Sequence, residues 1–185
     1  MSAALVQVPL GVVVSRRKAA SPWIDYIWQP AAILIGQAEA QPWSKLSDDG
    51  DVVTFYAGNA VLELYRSETG NYRDNLAGDN ALWVILRPSS GDVPYELARV
   101  TADPTEAEAY AGAGDNIIEM LPMPDALREL VQDFVAEHHV ERPFFKRKRT
   151  RANPEALAHH VTPQAAPQTK AGRTERPIRS REPKS

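Results

Sequence analysis

The chain has 185 residues, of which 21 are Lys or Arg and 24 are Asp or Glu, for a formal net charge of -3. That near-neutral figure hides a division: residues 1–141 hold 9 basic and 21 acidic side chains, and residues 142–185 hold 12 basic and 3 acidic. The absence of cysteine excludes disulfides, a thiol nucleophile and cysteine-ligated metal, and no apolar run approaches the ~20 residues that span a bilayer as a helix.

In chain order, residues 8–15 and 23–35 read as strands, with Ser15-Arg16-Arg17-Lys18 as a charged turn between them. Those arginines follow an apolar run instead of preceding one, so they do not make a twin-arginine export signal, and a cytoplasmic protein is expected. Pro22 and Pro30 confine the second strand to a sheet edge or interrupt it with a bulge. Val52 to Tyr56 alternate, Gly58-Asn59 is the expected hairpin turn, and the return strand puts Ala60, Leu62 and Leu64 on one face. Residues 65–75 read as a polar loop. Residues 81–86 are apolar throughout, as in a central strand covered on both sides, and a loop at residues 88–92 leads to a strand at 95–101.

Asp103-Pro104-Thr105-Glu106 is a helix start. Asp103 can cap free amides, Pro104 suits the first turn, and Glu106 can reach back as the second half of a capping box. Gly112 and Gly114 stop that helix. A last strand follows at residues 116–121. A second helix then runs from Met123-Pro124-Asp125 to about His139, with Leu127, Leu130, Val131, Phe134 and Val135 as its buried stripe. The expected fold is α+β: one antiparallel sheet of about six or seven strands with two helices, in a single domain over residues 1–150. Residues 151–185 lack an apolar period that could offset ordering entropy, so a disordered Pro- and Arg-rich basic tail is expected there.

Candidate sites are few. His138-His139 and His159-His160 are adjacent pairs, and neighbours on a helix point about 100° apart, so no metal site is expected; a satisfied helix-end histidine is the plainer reading of His138. Trp23, Trp28 and Trp43 lie among aspartates, which favours core or edge packing over stacking on nucleic acid bases. Residues 65–75 combine acid–base side chains with two arginines, but nothing in the sequence fixes their geometry, so no catalytic residue and no cofactor is assigned. Tyr65, Arg66, Tyr72 and Arg73 are carried as partner-binding candidates. The densest charge follows the last helix: Phe144, Phe145, Lys146, Arg147, Lys148 and Arg149 pair two aromatic rings with four cations. Such a segment suits a protein groove or an anionic membrane surface, and nucleic acid less well; a solvated arm is the alternative.

Several pieces read together resemble an uncharacterised proteobacterial family, a domain of unknown function. They are Val12-Val13-Val14-Ser15-Arg16-Arg17, Pro22-Trp23 with Trp28, Pro42-Trp43, the run from Leu62 to Thr69, Tyr72 with Asn75-Leu76, and Val84-Ile85-Leu86-Arg87. Met123-Pro124, Phe134-Val135, His138-His139-Val140-Glu141 and the segment from Phe144 to Arg149 complete the likeness, which covers about residues 8–150. Tyr26 stands where that pattern has a histidine. The resemblance implies a gene neighbourhood shared with molybdenum-dependent formate dehydrogenase, an iron–sulfur protein and a chaperone of the twin-arginine pathway. It carries no catalytic residues. The expectation is a non-catalytic accessory or assembly factor whose protein partner is a formate dehydrogenase subunit or its chaperone. The alternative is a nucleic-acid-binding regulator acting through the basic segment.

Overall fold

The computed structural model describes residues 5–140. Among them are seven strands: β1 (Val6–Lys18), β2 (Tyr26–Ile35), β3 (Ser44–Asp48), β4 (Val52–Leu64), β5 (Ala81–Pro88), β6 (Tyr95–Thr101) and β7 (Ile117–Pro122). Three α-helices join them: α1 (Thr69–Ala77), α2 (Pro104–Ala111) and α3 (Asp125–His138). All strand pairing is antiparallel, but the strands form two sheets instead of the one expected, in the orders β2-β1-β4-β3 and β6-β5-β7. β4 lies against β6 and β2 against β7, so the smaller sheet covers the larger. Leu10, Val12, Val14, Leu62 and Leu64 of one sheet meet Leu82, Val84, Leu86 and Val100 of the other, and α3 adds Leu127, Val131 and Phe134 to the same core. No helix among the described residues is long and apolar enough to cross a membrane.

Several expectations hold. β5 is the central strand of its sheet and is buried along most of its length. β2 is an edge strand, and its register slips between Val13↔Ala32 and Val14↔Pro30, so the edge and the irregularity both fall at the strand that holds Pro30, while Pro22 lies in the turn before it. Asp103 caps α2 by accepting from the amides of Thr105 (2.8 Å) and Glu106 (3.4 Å), and Gly112 ends the helix. α3 buries Leu127, Val131 and Phe134, with Leu130 and Val135 partly covered.

Four expectations are corrected. The hairpin at Gly58-Asn59 does not form: β4 is one continuous strand of 13 residues paired along nearly all of β1. Gly58 (φ +138°) serves instead at a bulge, where the register steps from Val12↔Gly58 to Val13↔Tyr56 and leaves Ala57 unpaired. Residues 15–18 are not a turn, since β1 continues through Lys18 and pairs it with Tyr26. Trp23 therefore lies in the connecting turn, 90% exposed, and not in the core or edge packing expected of it. The segment after β4 is not a loop but a short 3-10 turn, Arg66–Glu68, running into α1.

α1 escapes hydrophobic patterning because its buried residues are Thr69, Tyr72 and Asn75, two of them polar. Asn75 is 3% exposed, and its amide is fully engaged with backbone. Its Nδ2 donates to the carbonyls of Ala81 and Ala102, both at 2.9 Å, and its Oδ1 accepts from the amide of Ala81 at 3.0 Å. One side chain thus ties α1 to the start of β5 and to the link between β6 and α2.

Two substitutions test this frame. Asn75→Ala leaves three buried backbone groups without partners and is expected to cost about 2–4 kcal/mol. Urea unfolding should show a lower midpoint at unchanged slope; a loss well under 1 kcal/mol means that α1 is held by other contacts. Gly58→Ala forces an L-residue into a conformation it rarely adopts and is expected to cost about 1–2 kcal/mol in the same assay, whereas a neutral result means that the bulge can relax.

Candidate functional site

Where the 3-10 turn, α1, β6 and the start of α2 converge, a cleft of about 420 Å³ opens. Tyr65, Ser67 and Glu68 form one wall, Tyr72 of α1 the floor, and Arg99 of β6 with Asp103 and Glu106 of α2 the far wall. All of these side chains except Ser67 have a hydrogen-bond partner among the described residues. Arg99 donates from Nη1 to Glu63 Oε2 (2.7 Å) and from Nε to Glu106 Oε1 (2.9 Å), which joins β4, β6 and α2. Glu63 also accepts from the Tyr65 hydroxyl (2.9 Å) and from Gln7 Nε2 (3.1 Å). Asn71 Nδ2 bridges Glu68 Oε2 (3.2 Å) and Asp103 Oδ2 (3.0 Å). The second half of the expected capping box is therefore absent, since Glu106 turns to Arg99 while Asp103 caps alone.

The electrostatics follow from these bonds. The hydrogen bond from Arg99, then that from Tyr65, holds the Glu63 carboxyl below its ordinary value. Burial opposes the charge on Arg99, but Glu63 and the field of Glu106 outweigh it, and its pKa rises. Tyr72 is 1% exposed, and burial pushes its phenol up to about 12 while its Oη accepts the amide of Tyr65 at 3.2 Å. The lining thus carries Glu68, Asp103 and Glu106, with Glu63 behind them, against the single cation Arg99. The surplus is negative.

Of the residues singled out in the sequence, Tyr65 and Tyr72 enter this cleft, Tyr72 as a buried floor. Arg66 is exposed and outside the lining; its carbonyl accepts from Thr69 Oγ1. Arg73 lies on the surface of α1 and meets His139 Nε2 at 3.0 Å and Asp74 at 3.5 Å. Because arginine only donates, Nε2 of His139 must accept, which leaves Nδ1–H to donate to Thr69 Oγ1 (3.2 Å) and tether the end of α3 to α1. His138 is not the satisfied histidine expected: its ring meets Phe134 edge-on at 4.7 Å, and its buried Nδ1 has no hydrogen-bond partner among the described residues. The basic segment from Phe144 to Arg149, the domain limit at 150 and the tail expected to be disordered lie outside the described residues. Sequence reasoning missed Arg99 as a site residue, and nothing local marks it. Its partner Glu63 is 36 positions away, and the two meet only because β4 packs against β6. Among the described residues no group of three or more His, Asp or Glu side chains is placed to hold a metal ion.

Fold and site together define a two-sheet α+β domain with an acid-lined cleft. The chain belongs to the family described as protein of unknown function (DUF3305), whose model matches residues 9–149. No curated protein and no solved structure matches it.

The Glu63–Arg99 pair sets a pH dependence with a defined sign. A carboxyl held low in the folded state contributes stability that is complete above its unfolded value of 4.5 and is lost as pH falls below that. Glu63→Gln is expected to cost about 1–3 kcal/mol at pH 7, where it leaves the half-buried Arg99 with Glu106 alone, and distinctly less at pH 3. Equal losses at both pH values in urea unfolding mean that the pair is not what holds β4 to β6 here.

Proposed function

We propose that this protein is a non-catalytic accessory or assembly factor that works through protein–protein contacts, with the cleft receiving a basic side chain of its partner. The observation that carries the reading is the surplus of negative charge in a cleft whose walls are already fixed. Glu68, Asp103 and Glu106 face one arginine that is itself doubly paired. Glu68 is the least committed of them, bonded to Asn71 only at 3.2 Å, and is the natural acceptor for an incoming ammonium or guanidinium. Tyr65 beside it offers an aromatic face for the same cation.

General acid–base work calls for a group tuned toward the working pH. Here Glu63 is shifted down and Tyr72 up to about 12, each away from neutrality. Neither of those two groups is tuned for proton transfer near neutral pH.

For the partner we take what the family likeness implies, a subunit of a molybdenum-dependent formate dehydrogenase or its chaperone, met in the cytoplasm. Deleting the chain is then expected to lower formate oxidation with transcripts of the enzyme unchanged. A chromosomal Glu68→Lys variant, folded and normally abundant, should reproduce most of that loss. Unchanged formate oxidation in the deletion strain rejects the partner; loss on deletion with full activity in the Glu68→Lys strain rejects the cleft.

A further inference from the structure

A second surface differs from the cleft in charge and chemistry. Arg16 lies near the end of β1, opposite Trp28 of β2 and Val53 of β4. Its guanidinium carbon is 4.4 Å from the centroid of the Tyr26 ring, 5.6 Å from Trp28 and 5.4 Å from Phe55. Trp28 in turn packs edge-on against Trp43 (5.9 Å) and reaches Tyr95 of the other sheet (6.3 Å), so the frame is anchored in both sheets. Among the described residues, the buried Arg16 Nε has no hydrogen-bond partner, and no carboxylate or carbonyl bonds the guanidinium. Asp48 lies within its electrostatic reach, but that carboxylate is engaged by Lys45 Nζ at 2.8 Å and the amide of Gly50 at 3.2 Å.

A planar fork of donors, stacked among aromatic rings and left without an acceptor, suits a carboxylate above all. Tyr26 is itself 48% exposed, and the turn between β1 and β2 that leads into it leaves two more apolar side chains in water, Trp23 at 90% and Ile24 at 52% exposure. Tryptophan, tyrosine and arginine together are the residues that dominate binding energy at protein interfaces. The surrounding charge narrows the occupant. Arg17 and Lys18 are exposed next to Arg16, yet Asp25, Asp49 and Asp51 are exposed in the adjoining turns. Those aspartates repel a polyanion such as nucleic acid or an anionic bilayer, but tolerate one carboxylate delivered within an apolar segment.

We infer that Arg16, framed by Tyr26, Trp28 and Phe55, is a carboxylate anchor for a protein segment that carries Glu or Asp beside large apolar residues, with Trp23 and Ile24 gripping the apolar part. This extends the reading of the protein as a contact module, but uses a surface separate from the cleft.

The test is selection of 12-residue peptides from a random phage-displayed library on the full chain, then titration of the enriched peptides by fluorescence anisotropy. Enriched peptides are expected to carry Glu or Asp next to Phe, Leu, Ile or Trp. Replacing that acid by its amide in the peptide should weaken binding at least tenfold to the native chain but under threefold to an Arg16→Gln variant. Trp23→Ser should weaken the same peptides about tenfold. The peptide-side change leaves the fold of the protein untouched, so a loss there cannot come from misfolding. Enrichment of peptides without acids, no peptide blocked by Arg16→Gln, or an equal amide penalty on both proteins overturns the anchor. Basic peptides that are lost with Glu68→Lys and kept with Arg16→Gln report on the cleft alone, so the two surfaces fail or stand independently.

Discussion

The amide of Asn75 is the constraint on which the part of the molecule around the cleft is built. By bonding the carbonyl of Ala102, it fixes the backbone one residue before Asp103, and so fixes where α2 begins. By bonding both backbone groups of Ala81, it sets where β5 enters its sheet. One turn earlier on α1, Asn71 then stands within reach of both Glu68 and Asp103. A buried side-chain amide is costly unless every donor and acceptor finds a partner, and here each does so on main chain, which is less able than side chains to rearrange. The cleft is built on those bonds.

The Glu63–Arg99–Glu106 chain supplies the second fixed frame, between the sheets. Half-buried ion pairs contribute little net stability unless their remaining hydrogen-bonding groups are also satisfied. Glu63 meets that condition with Tyr65 and Gln7, and it shares Arg99 with Glu106. The arginine is thereby removed from the set of groups that could greet an anion, and the acidic side chains around it set the sign of the cleft.

Much of the strand plan was legible, because strands bury apolar residues in an order that the chain itself displays: β5 is apolar on both faces, and β2 carries the proline of an edge, Pro30. The N-terminus of α2 was legible because capping is local chemistry. What failed had a physical reason in each case. Gly58-Asn59 between two alternating runs is equally the mark of a hairpin or of a bulge in one long strand. Only the length of the neighbour β1, also 13 residues, decides between them. α1 presents Thr69, Tyr72 and Asn75 inward at helical spacing, but two of these are buried through hydrogen bonds instead of apolar area, so hydrophobic periodicity had nothing to register. The cleft needed both facts at once: the helical turn that brings Tyr65 and Glu68 forward, and the inter-sheet packing that brings Arg99 to meet them.

The two surfaces divide the charge of the domain in a way that bears on specificity. Arg99 is neutralised within the fold and leaves a cleft that favours cations, whereas Arg16 is stacked on rings that shield it without neutralising it. A partner that offers a cation to one and a carboxylate to the other satisfies both. A polyanion or a polycation meets repulsion at one of them, and like-charge juxtaposition at an interface is costly. The exposure of Trp23 fits the same logic: its indole is left 90% in water by a turn in which its backbone amide donates to Ser21 Oγ at 3.2 Å, and apolar area of that kind stabilises a contact when a partner covers it.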